Sequence, residues 1–194
     1  MAPFWMVLVA ALTTISQSTS RRAAINAQPL GAPVPIIIQF GEQYLGSELY
    51  DAKITVIEVL RGEKAWRLVK QASPSNSPPI TGFDYILARV KFEFSARTLP
   101  APDRYDLNET QFTATDRDGH DLSVPALVAF PQPRLNATLK AGDSLQGWLV
   151  FLVPKTVAKP LMVFREDVGE VSHRGGGTWF QLYSLPASSA KPKR

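Results

Sequence analysis

The chain has no cysteine among its 194 residues. That excludes a disulfide framework, a thiolate zinc site, a cysteine nucleophile and a lipid-bearing cysteine behind a leader. Small secreted domains often lean on disulfides, so an exported domain without them must hold together by its core. Histidine is nearly absent too, with only His120 and His173. A zinc site would need both to meet in space with Asp121 or Glu170. Each lies beside turn residues, so exposed loop histidines are expected. Long apolar runs are missing: residues 4–12 form a run well short of the about 20 residues that span a bilayer. There is no Gly-x-Ser-x-Gly elbow and no train of helices to carry one.

What is present is proline and glycine, sixteen and twelve residues, with 45% apolar side chains. That composition suits one core built from many short strands and turns. The net charge of +4 is carried at the ends. Without Arg21, Arg22, Lys191, Lys193 and Arg194, 16 basic residues face 17 acidic ones. A phosphate-tracking groove needs clustered Lys and Arg, so nucleic acid is not an expected partner.

Residues 1–20 read as a signal peptide: an apolar stretch, then Thr, Ser and Gln, then small residues. Cleavage after Ser20 and cleavage after Ala27 both fit. Export to an extracytoplasmic location is expected, with no stable membrane span once the leader is removed. Residues 21–35, rich in Ala and Pro, read as a linker. Residues 36–186 form the domain, and 187–194 a disordered basic tail.

Within the domain, residues 83–94 are the clearest strand. Ile86, Ala88, Val90, Phe92 and Phe94 share one face, with Arg89, Lys91 and Glu93 on the other. Further strands are expected at 36–40, 52–60, 66–69, 111–115, 120–124, 134–139, 144–153, 161–164 and 179–183. Asp116-Arg117-Asp118-Gly119 is a hairpin turn signal. Residues 135–153 read as a second hairpin, turning at Lys140-Ala141-Gly142-Asp143, whose second strand is apolar on both faces. No amphipathic helix is expected. The fold class is all-β, an antiparallel β-sandwich of about nine or ten strands.

The order of these segments carries a resemblance. Val59-Leu60-Arg61-Gly62 is followed by a Pro-rich loop, Gly82-Phe83-Asp84-Tyr85-Ile86, Phe112 before the Asp-Gly turn, Leu139 to Asp143, and Gly147-Trp148-Leu149-Val150-Phe151. This resembles the secreted immunoglobulin-like domains catalogued as domain of unknown function 4352, over residues 52–183. Ala141-Gly142-Asp143 stands where that family has Pro-Gly-Glu. The resemblance implies an extracytoplasmic immunoglobulin-like sandwich and supplies no catalytic residues.

Chemistry-bearing clusters are few. Asp116, Asp118 and Asp121 offer three carboxylates to a hard cation, without the length or closing Glu of an EF-hand loop. Residues 174–178 (Arg-Gly-Gly-Gly-Thr) lead into a strand rather than the helix a phosphate loop needs. Glu166, Asp167 and Glu170 read as a solvated acidic loop. Asn108 and Asn136 head glycosylation sequons. Trp66, Trp148 and Trp179 with Tyr85 compose either an aromatic patch or core, Trp148 being assigned to the core. The expected function is a non-catalytic exported binding module, without cofactor or metal. It meets an unknown protein or surface ligand through end loops 71–82, 97–108 and 166–177. The alternative is a calcium-binding or metal-dependent domain built on Asp116, Asp118 and Asp121.

Overall fold

A computed structural model describes residues 26–40, 48–96, 104–165 and 177–184. Among them the chain forms nine strands: β1 (Val34–Phe40), β2 (Glu48–Arg61), β3 (Phe83–Ala96), β4 (Arg104–Leu107), β5 (Phe112–Thr115), β6 (Ala137–Lys140), β7 (Ser144–Pro154), β8 (Leu161–Phe164) and β9 (Thr178–Gln181). One helix, α1 (Glu63–Ala72), joins β2 to β3, and a 3-10 turn (Glu109–Gln111) precedes β5. The strands pair antiparallel in the order β1-β2-β3-β7, with a β4-β6 ribbon and a β5-β8-β9 sheet forming the other layer. The expected all-β sandwich is the observed architecture.

Strand β3 organises the core because every second residue from Ile86 to Phe94 is apolar and buried on one face. Ile86, Ala88, Val90, Phe92 and Phe94 are all at most 2% exposed. Across the sandwich, Phe92 and Phe94 stack on Tyr105 of β4 at 5.6 and 5.5 Å, and Phe92 meets Phe164 of β8 at 6.1 Å; within the second layer Phe164 packs on its cross-strand partner Phe112 of β5 at 4.9 Å. Each such fully buried side chain contributes about 1.5–3 kcal/mol. Gln111, buried beneath this layer, donates from Nε2 to the Tyr105 hydroxyl while its carbonyl accepts the Asn108 N–H.

A bulge in β2 decides what covers the sheet's outer face. The register with β3 jumps between Val56 and Glu58, leaving Ile57 unpaired. Before it, even-numbered residues (Ala52, Ile54, Val56) face the core; after it, Leu60 faces outward instead. There α1 lies over the sheet. Ala65 and Val69 are buried with Tyr85, Leu87 and Val150 in a second, smaller apolar cluster.

Several sequence expectations are corrected. Residues 66–69 are helix, not strand. Ala65, Trp66, Leu68, Val69 and Ala72 recur at i, i+1, i+3, i+4 and i+7, and burying that stripe against β2 and β3 outweighs its local strand propensity. The segments 135–140 and 144–153 do not form a hairpin: β6 pairs with β4 and β7 with β3, so their turn carries the chain between layers. Residues 104–107, expected as loop, are β4. Residues 120–124 make a single bridge, Asp121 to Thr115, rather than a strand. The fold begins before the expected linker ends: Ala27 is buried and Gln28 bridges Phe180. The leader residues 1–20 and the tail 187–194 lie outside the described residues. No helix among the described residues is long and apolar enough to cross a membrane.

Candidate binding surface

The outer face of the four-stranded sheet is built up in three steps. First, α1 starts on Gly62, whose φ of 65° suits glycine and whose carbonyl accepts the Trp66 N–H. Arg61 anchors that junction, donating from Nε to Asp84 at 3.1 Å and from its two Nη to the carbonyls of Val157 and Pro154. Second, Trp66 stacks on Tyr85 with centroids 6.0 Å apart, and the Tyr85 hydroxyl donates to the Ser77 carbonyl. Burial pushes the Tyr85 phenol pKa up. Third, residues 123–134 run beside β7. The Leu152 N–H donates to Ser123 and the Trp148 N–H to Pro133.

One residue ties these parts together. Asn76 is 5% exposed and uses its whole amide. Its Nδ2 donates to the carbonyls of Val69 and Ala129, each at 2.7 Å, and its Oδ1 accepts the N–H groups of Val128 and Ala129. The end of α1 is thereby fixed to the 128–129 segment. Nothing in the sequence distinguishes this asparagine from an ordinary turn residue in a Pro- and Ser-rich loop.

On the outside of this tied assembly stand Ile80, 60% exposed, and Val124 and Val128, each 73% exposed. A second exposed trio, Ile37, Leu49 and Ile57, lies on the outer face of β1 and β2. Farther along the α1 side, the Arg89 guanidinium lies 5.9 Å from the Trp148 ring centroid and Arg134 lies 4.6 Å from that of Phe130. Arg134 also pairs with Glu109. The Nε atoms of both arginines are buried without a hydrogen-bond partner among the described residues.

The aromatic expectation is met in part. Trp66, Tyr85 and Trp148 share the helix-side cluster, where Trp148 packs partly buried against the second apolar core. Trp179 sits in β9, in the other layer, where its carbonyl accepts the Gln28 N–H.

The Asp116 turn is held by its own hydrogen bonds. Asp116 Oδ1 accepts from the N–H groups of Asp118 and His120, and Oδ2 lies 2.9 Å from His120 Nδ1. Burial raises the Asp116 carboxyl pKa, but these bonds and the His120 charge outweigh it and bring it below its ordinary value. The hydrogen bond from His120 to Asp116, with the carboxylate charge, raises the His120 pKa. Asp121 turns instead to Arg165 at 3.3 Å. Among the described residues no three His, Asp or Glu side chains gather closely enough to hold a metal ion.

The sequon residue Asn136 is exposed, whereas Asn108 is half-buried and caps the 3-10 turn through the Thr110 N–H. Of the three end loops, 73–82 carries Ile80, and 97–103 lies outside the described residues. So do 166–176, with Glu166, Asp167, Glu170 and His173.

No protein-family model matches this chain, and no curated protein does. Among solved structures the chain is similar to the yjhA protein from Bacillus subtilis, at 13% sequence identity and a TM-score of 0.45. The match covers 80% of this chain and 99% of that one.

Proposed function

We propose that this chain is an exported, non-catalytic binding module of the immunoglobulin-like kind its sequence resembles, acting outside the cytoplasm. It engages a partner protein through the surface carried by residues 76–80 and 123–130. The observation that carries this reading is the placement of Ile80, Val124 and Val128. Single exposed aliphatics are ordinary on any protein. Here three of them project from two segments locked together by a buried, fully bonded asparagine. A rigid apolar surface loses little conformational entropy on docking, which is what favours binding. The surrounding Trp66, Phe130 and Arg134 are residue types enriched where proteins meet.

A photo-crosslinking side chain at Val128, in the cells that make the protein, tests the reading. A discrete adduct is expected at position 128, absent from the same probe at exposed Lys53, and lost in a Val124→Asp background. Equal labelling at 128 and 53, or none at 128, would contradict it. Mass spectrometry of the mature protein tests export, with a first residue at or beyond position 21 expected.

A further inference from the structure

The sandwich closes off its sheet edges with single residues from neighbouring segments. The open side of β7 is covered by the Ser123 and Pro133 carbonyls, which accept the Leu152 and Trp148 N–H groups at 3.2 and 2.8 Å. The open side of β9 is covered by Gln28, which donates to Trp179 at 2.8 Å and accepts from Gln181 at 2.9 Å. The open side of β5 is covered by Asp121 and Leu122, the latter donating to Ala114 at 2.8 Å. The β4 strand is only four residues long and carries Arg104 and Asp106, both exposed, which is the usual protection of a short edge by charge. Among the described residues β1 pairs with β2 alone. It has the sequence Val-Pro-Ile-Ile-Ile-Gln-Phe, with no charge, and Ile37 at its centre is 53% exposed.

We propose that β1 is a self-association edge, at which two copies of this chain join antiparallel about a two-fold axis at Ile37. The two four-stranded sheets then become one of eight strands. A second copy is the occupant because the strand is complementary to itself. In the two-fold register Ile37 faces Ile37, Ile36 faces Ile38 and Pro35 faces Gln39, so no charge meets a like charge. On β2, the neighbours of that row are Asp51 beside Ile37 and Lys53 beside Pro35. They remain separated from their own copies by two strands. The exposed Leu49, beside position 39, extends the apolar strip on the outer face. Proline at position 35 removes one donor per copy and leaves its carbonyl available to the other strand. One strand per copy makes an interface at the small end of the range, below roughly 1,200 Å² in total, so the dimer is a weak, concentration-dependent one. This surface lies at the opposite edge of the sheet from β7 and is independent of the docking surface proposed above.

Analytical ultracentrifugation of the purified protein over a concentration series tests this. A mass rising toward twice that of the chain is expected, and Ile37→Lys, at a half-exposed position, should weaken association roughly tenfold or more by placing like charges face to face. The chain's lack of cysteine gives a second readout. Directly opposed residues in an antiparallel pair lie within disulfide reach, so Ile37→Cys should form a disulfide-linked dimer under mild oxidation while Ile57→Cys does not. A wild-type protein that stays monomeric throughout, an Ile37→Lys variant that associates equally well, or equal cross-linking at positions 37 and 57 would each overturn the proposal.

Discussion

Asn76 shows how much one buried polar side chain can decide. All four of its hydrogen-bonding positions are used, so Asn76→Ala takes the partner from the Ala129 carbonyl and from the Val128 and Ala129 N–H groups at once, while the Val69 carbonyl keeps only the Ser73 N–H. A loss of about 2–4 kcal/mol is expected in denaturant unfolding, since each abandoned buried group costs about 1–3 kcal/mol and water recovers part. Gly147 is constrained by space rather than by backbone angle. A Cβ there would collide with the backbone of Arg134 and Leu135, which crosses directly over it. Gly147→Ala should therefore cost about 1–3 kcal/mol by overpacking, with a change in Trp148 fluorescence as the covering segment shifts. That collision also explains why the Gly-Trp-Leu-Val-Phe segment begins on glycine. The Asp116–His120 pair makes a pH prediction. Its histidine contribution is complete below the ordinary histidine pKa of about 6.5 and is lost as pH rises through the raised folded value. Its aspartate contribution is complete above about 3.9 and is lost as pH falls through the lowered folded value. In Asp116→Asn, NMR titration should show the His120 pKa falling back toward its ordinary range. An unchanged value would mean that the carboxylate does not hold the ring.

At the scale of elements, α1 is stable because two of its residues are buried against the sheet, not because its end is well capped. Gly62 supplies no side-chain cap. Val69→Ala should lower stability by about 1–3 kcal/mol through lost contact and a residual cavity, whereas Lys70→Ala, exposed on the same helix, should change it by less than about 0.5 kcal/mol. The helix also marks the limit of what local pattern reveals. Strand β3 was legible because Ala88 to Phe94 alternate apolar and polar without interruption. Residues 66–69 were not, because four residues fit either period, and only the ten-residue window 63–72 exposes the helical spacing. The turn at 140–143 was legible in itself: Gly142 has φ 99° and the Asp143 carboxylate accepts the Lys140 N–H. What it connects was not, because the deciding bonds are distant. The Gly142 N–H donates to Phe94 and the Phe94 N–H to Asp143, which directs β6 into one layer and β7 into the other. The candidate surface was least legible of all. Loop 71–82 was expected to carry contacts, but the pairing of Asn76 with residues 128–129 spans 53 positions and leaves no local mark.

At the scale of the whole molecule, β7 accounts for the double-sided apolar pattern that stands out in the sequence. Leu149, Phe151 and Val153 face the main core, while Trp148, Val150 and Leu152 face the cluster under α1. Its outer edge is then sealed by residues 123–134, the same segment that presents Val124 and Val128 to solvent. Architecture and proposed function therefore rest on one arrangement, in which that segment lies along β7 while β6 belongs to the opposite layer. Residue-resolved native-state hydrogen exchange tests it most directly. The Trp148 and Leu152 amides should be protected to the degree of a strand interior, because their carbonyl partners are Pro133 and Ser123. If those two amides exchange as fast as free loop residues, or if β6 and β7 protect one another as a hairpin, the arrangement is wrong.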